Sequence, residues 1–584
     1  MGWAAWVTLA VLAGVVGVSV SDRVDPTFAL GSGVGLLLLL KVLSPERALD
    51  GFANPAVLII GLLFILVRAV ESSGWLSWAS GALFGNGGRR AGLRSLAWIA
   101  ALSGFISNAT VVAVLMPTVG EWARRRGITA SRMMMPIGFA ATLGGVLTLV
   151  GTSSNLVVNG LLLEHGDPGL GLFELAAVGL PLVVVGVAFM VVVGPRLLPD
   201  HADPLGELDA NPREYMAWLR VTKDGPCDGA RVGELRSLKD LFVAGVERGP
   251  GSLGPVEPSY RLTGGDVLVL VGRVEGIADL ASRGGLEPVD GGVGFVHSQG
   301  SKFHLVEAVV SSSSPIVGRN IRDAGFRGRY DAVVLAVHRH GEHLPGKIGD
   351  IVVQAGDTLL IAAGVDFLLR WRYARDFYLV STVGRFQATP GATDWIAPAV
   401  LLAVIAAVAA GLLSLLHAVV AGVLALLALR RLRPAEAWAS LHIPTLVMIA
   451  ASVGISHALT DSGLAAAVVR HGLGRIDGAT PTVVIGAILL VTAALTEILD
   501  NPAAAALVFP VAVAAAAANS VGLHAAAVAV AVGASTSFMT PFGYHANIIV
   551  AGAGGYRFRD FIRFGTPLKL LCLVVAAILI PWIW

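Results

Sequence analysis

The chain has 584 residues, of which 55% are hydrophobic and 14% charged, with a formal net charge of +2 and a mean hydropathy of +0.75. This balance overrides the soft prior of about four soluble domains for such a length, shows no global bias toward nucleic acid, and belongs to polytopic membrane proteins. The two cysteines, Cys227 and Cys572, lie in regions of different character, which rules out a disulfide framework or a cysteine zinc site.

Residues 1–20 carry no Lys or Arg ahead of their apolar run, so they read as a retained first span rather than a cleaved leader. Further spans, each able to cross about 30 Å of hydrocarbon, are predicted near 27–43 and 54–70. Two apolar segments then carry polar interruptions: 92–118 contains Ser-Asn-Ala-Thr, and 134–163 contains Gly-Thr-Ser-Ser-Asn. A closing span is predicted at 172–198. Residues 199–392 are richer in charge, Gly and Pro, with short alternating apolar runs, and read as a soluble insert. Spans near 395–410, 412–429 and 441–459 follow, then interrupted segments at 482–515 and 523–552, and a last span at 567–583.

The order of elements is the same on both sides of the insert. Asn108 and Asn501 are each followed nine positions later by Pro, and Ser103 and Thr496 each precede them by five. Gly151 and Asn155 match Gly543 and Asn547 in spacing, and Thr148 and Thr540 each precede the second asparagine by seven. Apolar matches between Ala-rich helices carry little information, but polar residues in register at several points predict an internal duplication.

Basic residues favour cytoplasmic loops. If 92–118 enters and leaves on one side, each half crosses five times and the halves are inverted relative to each other. With the N-terminus outside, Arg89, Arg90, Arg124, Arg125, Arg126, Arg132, the insert, Arg430, Arg431, Arg433, Arg557, Arg559 and Arg563 are all cytoplasmic. The opposite loops carry only Arg47, Arg470 and Arg475. The predicted fold is a polytopic α-helical membrane protein: an inverted repeat with five spans plus one re-entrant hairpin per half, and an inserted α+β cytoplasmic region. The units are a first transmembrane repeat (1–198), two insert domains (204–285 and 300–385) and a second transmembrane repeat (393–584), in the cell inner (plasma) membrane.

In hydrocarbon an unpaired backbone group costs several kcal/mol, so irregular backbone at that depth must be buried in protein or line a cavity. A helix stopped in mid-membrane offers free N–H groups at one end, which suit an anion, and free carbonyls at the other. Carbonyls with Asn and Ser/Thr oxygens suit a hard cation. Two opposed breaks therefore predict an anion site flanked by cation sites, the arrangement of inverted-repeat transporters. Small polar residues also serve close helix packing, and Ser103 and Thr496 are alternatively bonded back to their own helices. Asp500 and Glu497 are intramembrane carboxylates and functional candidates; Asp500 sits beside the tip asparagine, and Glu497 reads as a partner near the outer surface. His545 is a ligand contact, a proton carrier or a packed histidine.

These paired tips, together with GTSSNLVVNG (151–160) and STSFMTPFGYHANIIVAGAGGYRFRDFIRFGTPL (535–568), resemble the divalent anion:sodium symporter family, and more narrowly its sulfate-permease-like members with TrkA-C domains. The resemblance implies an elevator-type homodimer with two sodium sites. It implies that Ser103, Ser107, Asn108, Gly151 and Asn155 hold one sodium, and Thr496, Asn501, Gly543 and Asn547 the other. Substrate would meet Ser107, Asn108, Ala109, Thr152, Asp500, Asn501, Pro502 and His545. The family tip reads Ser-Asn-Thr. Here Thr110 comes one place late in the first tip, and Asp500 replaces a hydroxyl in the second, where it would repel a doubly charged anion by about 1–4 kcal/mol unless screened. No Arg or Lys lies in a tip or break, so anion binding would rest on helix ends, amides, hydroxyls and bound cations.

The insert carries its own weak repeat. Residues 231–249 lead to a Gly-Asp turn at 265–266 and an apolar strand, and residues 316–341 to a second Gly-Asp turn at 356–357. This pattern resembles two TrkA-C (RCK-C) domains, which implies a small regulatory ligand of unknown identity or, alternatively, a packed spacer without one. The glycine-rich 249–254 stretch contains Pro250 and is followed by Pro255, which deny it the helix a dinucleotide motif needs. The functional reading is sodium-coupled symport of a divalent oxyanion, sulfate favoured. Alternatives are cation-coupled dicarboxylate transport, proton-coupled transport of the arsenite or citrate type, and a channel gated by the insert. Without a TVGYG-like filter, HExxH or GxSxG, channel and enzyme readings are disfavoured.

Overall fold

A computed structural model describes residues 2–20, 26–73, 89–125, 131–200, 216–235, 241–248, 251–253, 259–272, 285–288, 303–311, 314–339, 342–344, 348–364, 376–382, 392–441, 443–470, 480–541 and 543–584, with positions 75, 79, 129, 367 and 371 between them. The expected unit boundaries at 204, 300 and 385, and Arg126, Pro250, Pro255, Arg475 and Phe542, lie outside the described residues.

The first half runs α1 (Trp3–Val20), α2 (Pro26–Leu39), α3 (Pro45–Ala53), α4 (Pro55–Ser72), α5 (Arg89–Ser103), α6 (Asn108–Arg125), α7 (Ser131–Gly144), α8 (Ser153–Glu164) and α9 (Ala176–Val192). The second runs α10 (Ile396–Ala409), α11 (Leu415–Ala428), α12 (Pro434–Ser440), α13 (Ile443–Asp461), the short α14 (Leu464–Val468), α15 (Pro481–Leu495), α16 (Asn501–Ala518), α17 (Leu523–Ala534), α18 (His545–Gly554) and α19 (Phe558–Ile583). Among the described residues four helical stretches are long and apolar enough to cross a membrane, and seven shorter apolar helices accompany them.

The sequence reading missed α3 and α12, which are too short and too mixed in composition to register as spans. Their local chemistry is nonetheless legible. Ser44 accepts the Arg47 N–H ahead of Pro45, and Glu436 accepts the Arg433 N–H ahead of Pro434. Each is preceded by a basic residue in the left-handed region, Lys41 (φ 58°) and Arg430 (φ 55°).

Helices α5 and α6 meet at residues 104–107, and α15 and α16 at 496–500. Both junctions lie against helix breaks. A Cβ on Gly145, just past α7, would stand 2.8 Å from Asn108 Nδ2, and one on Gly543, in the second break, 2.8 Å from the Thr496 carbonyl oxygen. At one end of the molecule the entrance to the insert gathers loops. Arg132 pairs with Asp200 at 2.7 Å, and the Tyr556 hydroxyl donates to the Ser131 carbonyl while accepting the Met135 N–H.

In the insert, β1 (Met216–Val221), β2 (Leu241–Arg248), β3 (Gly251–Leu253), β4 (Val267–Gly272) and β5 (Leu286–Pro288) form an antiparallel sheet in the order β3-β2-β4-β1-β5. The strands β6 (Phe303–Val310), β7 (Ala332–Arg339), β8 (Glu342–His343), β9 (Thr358–Gly364) and β10 (Phe377–Thr382) form a second, β10-β6-β9-β7-β8, which is the same order read from the other edge. The register slips at Val243/Gly245 and at Val334/Ala336, the same place in each. Both Gly-Asp turns are tied alike. Asp266 takes Arg248 Nε at 2.7 Å and the Thr263 N–H at 2.9 Å; Asp357 takes Arg339 Nε at 2.8 Å and the Gln354 N–H at 2.8 Å.

The second sheet rests on the membrane helices. Val309 of β6 is part of their core, and the Gly356 carbonyl lies so close to α18 that a Cβ on Gly552 would stand 2.8 Å from it. Gly356 holds φ +86°, which a side chain at that turn would strain.

Candidate functional site

The two tips carry the same internal bond. Ser103 Oγ donates to Asn108 Oδ1 at 2.6 Å, and Thr496 Oγ1 donates to Asn501 Oδ1 at 2.7 Å. All four residues are buried. Ser103 and Thr496 thus turn toward the tip asparagines; Thr496 also donates to the Ala534 carbonyl at 2.8 Å. Ser107 is exposed, Ala109 and Asp500 are part-buried and Pro502 is buried. The Thr110 hydroxyl is taken by Glu71 of α4 at 2.6 Å, which accounts for the missing third tip residue: this hydroxyl serves a carboxylate on another helix.

The two breaks also share one design. Asn155 Nδ2 donates to the carbonyls of Gly145 (3.1 Å) and Thr148 (3.0 Å); Asn547 Nδ2 donates to those of Ser537 (3.0 Å) and Thr540 (3.0 Å). Two carbonyl acceptors fix the amide NH2, so the opposite atom of each asparagine is its oxygen. Both of these oxygens, Asn155 Oδ1 and Asn547 Oδ1, are buried and have no hydrogen-bond partner among the described residues. A buried acceptor left unmatched costs about 1–3 kcal/mol, and here the cost is incurred twice at equivalent places. The backbone beside each is glycine for lack of room. A Cβ on Gly151 would stand 2.5 Å from the Gly145 carbonyl oxygen, and one on Gly543 2.5 Å from Ser537 Oγ and 2.8 Å from the Thr496 carbonyl oxygen. Neutral oxygens in a tight, dry setting are the donor set that a hard monovalent cation takes.

Two residues at the site were not legible beforehand. Tyr544 precedes α18 as Thr152 precedes α8, each in extended backbone. Its hydroxyl accepts from Asn108 Nδ2 of the other half at 2.6 Å. His545, next in sequence, is exposed, and it is the Tyr544 hydroxyl that bonds Asn108. Lys569 of α19 donates to Glu497 at 2.7 Å and to the Ala493 carbonyl, and both side chains are buried. Glu497 in turn accepts the N–H groups of Phe538 (3.0 Å) and Met539 (3.1 Å) in the second break. Glu497 is therefore held by Lys569 and by the second break. A basic side chain does reach the second tip, supplied by a helix some seventy residues on. The sign that could have revealed it is a lone lysine in the last apolar span.

Comparison with known proteins places this geometry in context. The model of the CitMHS family, described as citrate transporter, matches residues 15–533. The "Putative sulfur deprivation response regulator" of Chlamydomonas reinhardtii is 34% identical, over 96% of this chain and 97% of its own. Sodium/sulfate cotransporter 2 of the same organism is 30% identical over 64% of this chain and 43% of its own. Among solved structures, the Alcanivorax borkumensis YdaH transporter is similar at 12% identity and a TM-score of 0.44, covering 93% of this chain and 88% of that one.

Proposed function

We propose, from the premise that the chain belongs to the CitMHS citrate transporter family, that it is a sodium-coupled symporter of a divalent oxyanion, sulfate before dicarboxylates. The observation that carries this reading is the pair of orphaned buried oxygens, Asn155 Oδ1 and Asn547 Oδ1, each beside a glycine-lined break that abuts a tip asparagine. Sodium is co-substrate in this reading. Asn155 and the Gly151 backbone, with Ser103 and Asn108, take one ion; Asn547 and the Gly543 backbone, with Thr496 and Asn501, take the other. The anion lies between them, against N–H and O–H donors, where the two positive charges screen Asp500. The halves act as an inverted repeat with re-entrant tips and move by an elevator step in a homodimer in the inner membrane.

The insert reads as two cytoplasmic TrkA-C-like regulatory domains. In support, its two sheets share strand order, bulge position and Arg–Asp ties, and the second packs on α18, the helix that starts at the second break. The citrate description of the family favours a second reading, cation-coupled transport of a di- or tricarboxylate. Uptake of radiolabelled sulfate and succinate into proteoliposomes, with sodium and proton gradients imposed separately, decides between them. Sodium-driven sulfate uptake is expected. Proton-driven or gradient-independent flux, or succinate in place of sulfate, overturns the proposal.

A further inference from the structure

We propose that the Tyr544 hydroxyl is a specificity-determining anion ligand that restricts the site to compact oxyanions. The inference rests on the transport reading above and deepens it. The residues that begin the two post-break helices, Thr152 and Tyr544, are equivalent in position but differ in reach. The threonine stays in its own half, its hydroxyl 3.2 Å from Ser154 Oγ. The phenol crosses between the halves to Asn108.

Asn108 is oriented from behind by Ser103, so it presents its NH2 to the phenol oxygen. The phenol oxygen accepts there, which leaves its own proton free to donate forward. The second Asn108 N–H and the Tyr544 O–H therefore converge as neutral donors from the two halves on one small region. A tetrahedral oxyanion presents acceptors in every direction from one centre and satisfies both donors together. A dicarboxylate carries its acceptors at two separated ends, and the aromatic ring takes up room its chain would need. Asp500 stands next to the second tip asparagine, so donors without formal charge share the site with a carboxylate, and anion binding requires the cation.

The test measures ligand-induced shifts in melting temperature of the purified full-length protein in sodium, across sulfate, phosphate, succinate and citrate. Wild type is expected to respond most to a compact oxyanion. Tyr544→Phe keeps the ring and loses the donor. It should weaken the oxyanion response about tenfold or more, the size of a hydrogen bond to a charged group, with the ligand order unchanged. Tyr544→Thr copies the other half and removes the ring. It should shift preference toward succinate or citrate by about tenfold or more, in the range by which pocket volume discriminates ligands. A purely structural tyrosine would lower stability in both variants without changing the order of ligands. Retention of the wild-type order in Tyr544→Thr, or of full oxyanion response in Tyr544→Phe, overturns this inference alone. A wild type that responds to no anion overturns it together with the transport proposal.

Discussion

Counted from the paired asparagines, Gly104, Thr152 and Ala177 in the first half stand where Glu497, Tyr544 and Lys569 stand in the second. The asparagine bonds are nearly superimposable, with Nδ2 reaching carbonyls ten and seven residues back in both halves. Around that shared frame the second half carries an ion pair and a phenol that the first half lacks at the matching positions. The two insert sheets differ less, since each has the same Arg–Asp tie at the same place. The features common to both halves are those whose partners are local. The features that differ are side chains that reach distant parts of the chain.

The strongest way to break this comparison is at the shared frame. Asn155→Ala and Asn547→Ala should each reduce sodium-driven uptake by about 100-fold and weaken the sodium response, since each removes an oxygen assigned to an ion and two backbone bonds. Asn159→Ala is the control, because its Oδ1 is already taken by the Leu170 N–H at 2.6 Å. It should leave sodium dependence as in wild type. Equal sodium responses in all three variants would remove the asparagines from the cation sites.

The second test addresses what the second half added. Lys569→Met leaves Glu497 buried without its cation, which should cost about 3–5 kcal/mol and lower the melting temperature. Adding Glu497→Gln to Lys569→Met should restore much of the loss, because the uncompensated charge is gone. A double variant no more stable than Lys569→Met would mean that the pair serves only by its shape. No first-half substitution at Gly104 or Ala177 has an equivalent partner to rescue it.

The smallest effect is expected in the insert. Burial by itself would raise the Asp266 carboxyl, but the Arg248 bonds and the Thr263 N–H outweigh it and hold it below the usual aspartate range. A depressed folded value contributes stability above the unfolded value and loses it as pH falls through the folded one. The first sheet should therefore lose this contribution only as pH falls below the usual aspartate range, followed by hydrogen exchange over 241–248. Arg248→Ala should move that opening toward neutral pH. Arg339→Ala should loosen the 354–357 turn in the same assay, and unlike behaviour of the two variants would show that the sheets are not equivalent.

Much of the frame was legible because its bonds are local. Ser103 with Asn108 and Thr496 with Asn501 are five residues apart, and the glycines and asparagines of the breaks recur at fixed spacing. The amphipathic α3 and α12 escaped notice because a hydropathy reading looks for spans, and a helix of seven to nine residues lying outside them does not register. Thr110 looked like a displaced tip residue, and only its distant partner Glu71 shows where its hydroxyl goes.

Composition, hydropathy and the repeated polar spacings were enough to specify a membrane chain with two tips and two breaks, because lipid forces each helix to satisfy its own backbone and marks every exception with Gly, Asn, Ser or Thr. Tertiary structure alone decided which side chains meet at long range. Tyr544 meets Asn108 across 436 positions, and Lys569 meets Glu497 across 72. Such contacts depend on where packed helices bring distant residues together, and no local spacing encodes that.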